Sequence, residues 1–379
     1  MNRRKFLTLA GGGIIIAAGA GVAGFALTRT PTKALIPWQQ AGSLYTEPRK
    51  KALSYAILAP NPHNRQPWLI DLSQEGKITL FVDTNRLLPH TDPFNRQITI
   101  GLGCFLEVLR MAAAEDGYRV IMDAFPEGSG EQLDTRPVAV LSFNADDTVK
   151  KDPLFAFVLE RHSLKVPYDL KRSVSGLDKL IQLAGSNVEI GATNEASKVA
   201  VLRQLTNEAT ITELNTHRAN KESIDLVRIG KSEIEANPDG IDIGGAFMEA
   251  LAAFGLFTRE GALDPQSSIF KQTQEMLLAQ SNSAMGHIWL VTKENTRIDQ
   301  LNAGRDWVRV NLATTQIGLG IHPHSQALQE WPEMKEHYDK CRALLAPNGG
   351  TVQMLARLGY GEKVGLSPRW PLETKIIKT

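Results

Sequence analysis

The stretch ERHSLKVPYD, residues 160–169, packs an Arg, a His, a Ser and a Lys into five positions between two apolar segments. Arg161, Ser163 and Lys165 fall on every second residue. In an extended or turning segment their side chains leave on one side and can converge on one anion, for which a phosphate is the natural candidate. The other reading is a helix end. DPLFAFVLE, residues 152–160, would then form the helix, with Arg161 and His162 decorating its last turn against the negative end of the dipole. The rest of the chain decides between them.

The first 27 residues, MNRRKFLTLAGGGIIIAAGAGVAGFAL, put a short basic head before a run from Leu7 to Leu27 in which Thr8 is the one polar side chain. This pattern reads as an export signal rather than as part of the fold. Arg3 and Arg4, followed by Lys5, Phe6 and Leu7, resemble the twin-arginine pattern, so the twin-arginine (Tat) translocation machinery is an expected partner. That route carries chains already folded, which suits a cofactor inserted before export. A plain membrane anchor is the alternative, since about 20 apolar residues span a bilayer. GFA, residues 24–26, matches a small-x-small cleavage site only loosely. The expectation is a periplasmic protein, or one held on the outer side of the cytoplasmic membrane through its N-terminal segment.

The remaining chain is long enough for one large core or two lobes, and its composition, 42% hydrophobic and 22% charged, is that of an ordinary globular protein. Lys and Arg number 42 against 41 Asp and Glu, so no broad basic surface for nucleic acid is expected. Cys104 and Cys341 are the two cysteines, which excludes a disulfide framework and a Cys-based zinc site. The eight His have no metal-ligand spacing, His322 and His324 in IHPHSQ lacking an accompanying carboxylate array, so no metal site is expected.

Along the chain, YTEPRKKALSYAILAP reads as a helix stopping at Pro60, followed by an Asn- and Pro-rich turn and a strand from about Trp68. KITLFVD, YRVIMDAF and PVAVLSF read as strands, and RQITIGLGCFLEVLRMAAAEDGY as a helix with Leu102, Phe105, Leu106, Leu109 and Ala113 at helical spacing. A second lobe opens with a helix ahead of Arg161. It continues through the helix VSGLDKLIQLAG, the strand HIWLVTK and the helix AGRDWVRVNLATTQIGLG, while residues 190–285 are polar and give little pattern. The two long helices echo one another. Gly103 and Gly117 are spaced as Gly304 and Gly318 are, and Leu109, Met111 and Ala112 match Val310, Leu312 and Ala313. Apolar helices can match by chance. Taken as a repeat, the echo implies an α+β fold of two related α/β halves, each a sheet flanked by helices, packed as an intramolecular pseudo-dimer through their central helices. The expected division is residues 1–34 as signal or anchor, 35–150 as the first half, and 151–379 as the second half with a lid around 190–285.

APNPHNRQPW, residues 59–68, resembles the AP-S-x-x-N-x-Q-P-W segment of the nitroreductase superfamily of flavoproteins. RHSLKVPYD resembles that superfamily's R-x-S-x-R/K segment, which grips the FMN phosphate and ribityl chain, and SPRWPLE, residues 367–373, resembles its basic C-terminal tail. AGRDWVRVNLATTQIGLGIHPHSQALQ and VQMLARLGYGEKVGLSPRWPL are similar to the Acg-type branch, whose members carry two halves in one chain. The resemblance runs, with gaps, over most of residues 45–375. It departs from the ordinary family in order. The first half has KALIPWQQAGSLY where its own phosphate segment would stand, and the second has QLAGSNVEI in place of its own Gln-Pro-Trp segment. Each half retains what the other lacks, so the resemblance implies a monomer with one composite site for a single FMN.

Carried over by resemblance, Arg161, Ser163, Lys165 and Arg369 hold the phosphate and ribityl chain, and His162 lies beside the ring system through its backbone. Pro60, Asn61, Pro62 and Asn64 line the isoalloxazine, with Asn61 where the family more often has Ser. Gln66 and Trp68 fix the loop. Pro323, His324 and Ser325 form the turn whose backbone N–H faces flavin N5, where a donor favours the reduced flavin. No side-chain acid or base is required, so no catalytic residue is named. The implied function is an exported FMN-dependent oxidoreductase passing electrons to a small organic acceptor. Two alternatives stand beside it: a protein that binds or sequesters FMN without turnover, and an exported solute-binding protein.

Overall fold

The computed structural model describes residues 28–185 and 187–377. The export and anchor readings of residues 1–27 lie outside the described residues. After helix α1 (Pro48–Ala56), whose N-terminus is capped by Glu47 accepting from the Arg49 and Lys50 N–H groups, the chain forms β1 (Trp68–Asp71), β2 (Lys77–Val82), helix α2 (Arg96–Glu115), β3 (Tyr118–Ala124) and β4 (Ala139–Ala145). These strands make an antiparallel sheet in the order β1-β2-β4-β3. Farther on, β5 (Glu189–Thr193), β8 (Gly286–Thr292), β9 (Gly320–Pro323) and β10 (Thr351–Gly359) make a second antiparallel sheet in the order β5-β8-β10-β9. A long helix lies between the second and third strands of each sheet in chain order, α2 in the first and α7 (Arg297–Gln316) in the second. The fold is thus mixed α and β, with sheets flanked by helices.

The helices α2 and α7 cross where the sequence echo points. A Cβ on Gly103 would clash with the Leu301 carbonyl and lie 3.0 Å from the Gly304 Cα, and one on Gly304 would clash with the Ile100 carbonyl. The contact is reciprocal: each glycine faces the carbonyl three residues before the other. Cys104 Sγ donates to the Gly304 carbonyl at 3.1 Å, a close approach that glycine at that point permits. Gly117 and Gly318, at φ 77° and 68°, occupy the left-handed position just past the ends of the two helices. Glu107 on α2 ties the pair electrostatically. Buried among Arg110, Arg305 and Arg309, its carboxyl would be raised by burial alone, but the surrounding guanidinium groups hold it down to about 2. Helix α2 is long and apolar enough by composition to cross a bilayer, yet it lies in the core of the fold.

Two sequence expectations change. The segment ahead of Arg161 is not an α-helix: Pro153–Phe157 forms a short 3-10 turn capped by Asp152, which accepts from the Leu154 N–H. Phe155, Phe157 and Val158 are poor helix formers, and so short a stretch does not repay helix nucleation. The chain leaves it extended, with the Leu164 N–H donating to the Ile321 carbonyl, so residues 161–165 run beside β9. The region between β5 and β8 is largely helical. It includes α3 (Ala196–Asn215), α4 (Gly230–Ala236), α5 (Ala246–Ala253) and α6 (Ser268–Asn282), with β6 (Val227–Ile229) and β7 (Ile241–Ile243) paired in parallel. Its longest helix was illegible because the inward positions Val199, Leu202, Leu205 and Ala209 are interleaved with buried Thr206, Thr210 and Glu213.

Candidate functional site

The carbonyls of Ile57, Leu58 and Ala59 follow the end of α1, where a helix leaves acceptors without intrahelical partners. Arg369 takes all three, through Nε to Ile57 at 3.0 Å and Nη2 to Leu58 and Ala59 at 2.9 and 3.2 Å. Its Nη1 donates to Asn64 Oδ1 at 2.7 Å and to the Pro368 carbonyl at 2.9 Å. A guanidinium has five N–H donors, so Arg369 is saturated. Arg161 is not. It donates through Nη1 to Asn311 Oδ1 at 2.9 Å and through Nη2 to the Leu58 carbonyl at 3.5 Å, leaving three N–H groups without an acceptor among the described residues. The guanidinium carbons of Arg161 and Arg369 stand 5.9 and 5.3 Å from the centre of the Trp38 ring, and Trp38 Nε1 donates to the Ser367 carbonyl. Both arginines are buried, and neither is ion-paired among the described residues. Burial pushes Arg161 down to about 10 and Arg369 to about 9, the charge of Arg161 adding to the second shift.

The loop 59–68 is held in an unusual conformation. His63, Asn64 and Gln66 have φ of 46°, 50° and 49°, a region costly to side chains with a Cβ. Side-chain bonds compensate. Asn61 Oδ1 accepts from the Gln66 N–H at 2.7 Å and its Nδ2 donates to the Ala59 carbonyl at 3.1 Å, so this side chain is turned onto its own loop. Asn64 Nδ2 donates to the Pro368 carbonyl at 3.0 Å. Gln66, fully buried, donates through Nε2 to the Pro238 carbonyl and accepts the Trp370 N–H, while buried Trp68 packs on Phe105 with ring centres 5.1 Å apart. Asn61 and Pro62 rest on α2 at Gly101, where a Cβ would come within 3.0 Å of the Asn61 side chain and 3.1 Å of the Pro62 ring. Pro60 joins this loop to the carbonyls that Arg369 holds.

Lys165 marks where the elements converge. It is exposed, yet its charge reaches His63 on the loop, His322 on β9 and Asp242 on β7. Burial first, and then Lys165 and Arg65, lower His63 to about 4. Burial, then His324 and Arg357, hold His322 well below its usual value. Asp242 is solvent-exposed, but the protein packed around it raises its carboxyl, and Lys165 and Arg369 oppose that rise. Ser163 is half-buried between Arg161 and Lys165, and His162 contributes its carbonyl to Asn311 Nδ2 at 3.3 Å while its Nδ1 meets the Glu160 carbonyl. At the end of β9, Pro323 has no N–H and the His324 N–H is committed to the Leu355 carbonyl at 2.8 Å, so Ser325 carries the turn's backbone donor that meets no acceptor among the described residues. The segment 237–243 crosses the loop. Beyond the Pro238 contact, the Gly240 N–H donates to the Asn64 carbonyl at 3.3 Å, and Asp239 pairs with Arg86 and Arg228 and accepts from Trp370 Nε1.

Arg161, Lys165, Arg369 and the 60–64 loop are therefore neighbours, with the 323–325 turn following β9 alongside. Trp38, Asn311 and Asp242 belong to the same constellation and were not singled out in the sequence. Trp38 lies in KALIPWQQAGSLY, the stretch without the phosphate motif, and an isolated Trp there was its only signal. Among the described residues no group of three or more His, Cys, Asp or Glu could hold a metal ion. A cavity of about 380 Å³ lies elsewhere, lined by residues including Phe94, Gly130, Arg297 and Glu330.

No family model matches the chain. It is similar to a Mycobacterium tuberculosis protein provisionally named an NAD(P)H nitroreductase, acg, at 30% identity over 132 residues, which is 35% of this chain and 36% of that one. The match thus spans about a third of the relative's length. A second Mycobacterium tuberculosis protein with the same provisional activity name is 24% identical over 333 residues, covering 82% of this chain and 84% of its own. Among solved structures, the FMN-dependent nitroreductase NfnB of Mycobacterium smegmatis aligns over 58% of this chain and 95% of its own, at 16% identity and a TM-score of 0.34. A nitroreductase-like protein of Bacillus cereus aligns over 61% and 97%, at 14% identity and a TM-score of 0.34.

The residues present fit the FMN that the sequence resemblance implies. Its phosphate is a dianion, and the constellation offers two buried guanidinium groups without a carboxylate partner, three unanswered N–H groups on Arg161 and the exposed ammonium of Lys165.

Proposed function

We propose that this protein is an exported FMN-dependent oxidoreductase of nitroreductase type that passes electrons to a small organic acceptor. The observation that carries the reading is the buried, incompletely satisfied Arg161 beside Lys165, next to a strained Asn-Pro loop from the other sheet's half of the chain. Arg161, Ser163 and Lys165 would hold the phosphate end of FMN. Arg369, its N–H groups spent on protein oxygens, would act on that phosphate through its charge and by fixing the loop. Pro60, Asn61, Pro62 and Asn64 would flank the ring, and Ser325 would offer the backbone donor that the resemblance assigns to the 323–325 turn. Bound FMN supplies the two-electron transfer chemistry, while the chain's own residues bind, orient and shield it. No side-chain proton donor is required.

The equal strand orders of the two sheets and the reciprocal glycine contact support two related halves in one chain, with one complete site between them. The test is the visible absorption of protein purified from its own compartment, before and after reductant, with the released flavin quantified. One FMN per chain that bleaches reversibly is expected; two per chain would sink the single-site account, and none would sink the flavin reading. A second reading, FMN held without turnover, is favoured by the 237–243 segment lying across the loop. It predicts bound FMN that small acceptors fail to reoxidise.

A further inference from the structure

Helix α5 (Ala246–Ala253) has no buried residue among its eight, and the stretch AFMEALAAFGLF, residues 246–257, carries one charge. Phe247, Phe254 and Leu256 are 53%, 79% and 59% exposed, which sets this short segment apart as a concentrated apolar surface. Its single charge, Glu249, is spent within the fold: Arg29 Nη1 meets Glu249 Oε1 at 3.0 Å, and Glu249 Oε2 accepts from the Lys231 N–H at 3.4 Å. Beside it, Lys231 on α4 (Gly230–Ala236) donates to the Thr28 carbonyl at 3.1 Å. Residues 28 and 29 follow directly on the apolar run Leu7–Leu27. Two residues of chain span at most about 7 Å. The two residues that follow that run are therefore tied to the apolar helix and to α4 beside it.

We propose that α5 and the turn after it rest on the surface of the lipid bilayer that takes up Leu7–Leu27, with Phe247, Phe254 and Leu256 entering its interfacial layer. The run is long enough to cross a bilayer. The basic cluster Arg3, Arg4 and Lys5 before it favours retention of that end on the cytoplasmic side, which leaves the folded part outside. An exposed apolar helix fastened to the emergence point of a membrane-spanning run meets the headgroup region at once, and aromatic residues are favoured there. Because β7 leads directly into α5 through Gly244 and Gly245, the segment crossing the 60–64 loop would also face the bilayer. The inference rests on the membrane-tether reading of the N-terminal run and is independent of the flavin reading.

The test uses the full chain. Cys104 and Cys341 are both buried, so Phe254→Cys can be labelled selectively with a polarity-sensitive thiol fluorophore, with Ile121→Cys on β3, 57% exposed, as the control position. Each is mixed with phosphatidylcholine–phosphatidylglycerol vesicles containing brominated lipid, and vesicle binding is scored by sedimentation. The expected result is a blue shift and several-fold stronger quenching at position 254 than at 121. Vesicle-bound protein with equal, weak quenching at both positions would overturn the proposal while leaving the tether intact. Failure to sediment would overturn the tether and the surface together. A label at 254 shielded without vesicles, in a species of doubled mass, would assign the surface to a second copy of the chain instead.

Discussion

Arg161 and Arg369 lie against one indole and share the Leu58 carbonyl, but their donor counts separate their roles. Arg369 closes the end of α1 and fastens Asn64, so its removal should loosen the loop; Arg161 keeps donors for something else. Arg161→Ala should remove a charge-assisted contact worth about 1.5–3 kcal/mol. That weakens FMN binding roughly 10- to 150-fold. Flavin fluorescence titration measures it, and an unchanged dissociation constant would make Arg161 a helix-capping residue only. A second residue-scale expectation concerns Glu213, buried on α3, whose carboxyl is pushed up from 4.5 to about 7 by burial, with Gln329 and Gln326 opposing the shift. Between these values the folded chain binds more protons than the unfolded one, so this group's contribution to stability is full below about pH 4.5 and declines as pH rises to about 7, by roughly 3 kcal/mol. Glu213→Gln should therefore match the parent at pH 4.5 and exceed it at pH 8 in urea denaturation. Equal stability of the two at pH 8 would contradict the shift.

The elements read correctly from sequence are those whose local pattern and tertiary role agree. Helices α2 and α7 declare themselves through glycines that the crossing and the C-terminal left-handed positions both require. The contrast between two of these glycines is testable. Gly103→Ala sets a Cβ against backbone of the facing helix and should cost several kcal/mol, in line with overpacked contacts. Gly117→Ala has open space and loses only its left-handed φ, worth about 1–2 kcal/mol. Urea midpoints that rank the two in the opposite order would refute the helix-crossing account. The alternating polar and charged positions 161, 163 and 165 were legible because they are a local signal, whereas the short 3-10 approach to them and the helical insert were not. In the insert, polar groups satisfied only by distant partners break the apolar stripe that sequence reading depends on. Trp38, Asn311 and Asp242 escaped for a related reason: each joins the site through contacts made from a different part of the chain, and nothing in its immediate neighbours marks it.

At the scale of the whole molecule, the placement of segment 237–243 bears on the electron donor. The two Mycobacterium tuberculosis relatives carry provisional NAD(P)H names. In this chain the face of the 60–64 loop is crossed by Pro238 and Gly240, and the continuation of that segment is the apolar helix tied to Arg29. A dinucleotide is long and multiply charged, and it would have to displace this cover before reaching a ring beneath it. In the exported location proposed above, it would also not be supplied. The Gly-rich dinucleotide fingerprint is absent as well, since GGG at 11–13 lies in the N-terminal run and GLG at 101–103 lies inside α2 rather than at a strand-to-helix turn. A lipid-soluble quinol is uncharged, would be present in the proposed bilayer, and would meet the same segment from its membrane-facing side. The expectation is that NADH and NADPH reduce the bound flavin slowly, and that a quinol in vesicles or a small dithiol does so faster. Anaerobic stopped-flow at the flavin absorption band measures both rates. Rapid, saturable bleaching by micromolar NADH would show that the cover opens to a dinucleotide and would overturn the assignment of the donor to the membrane.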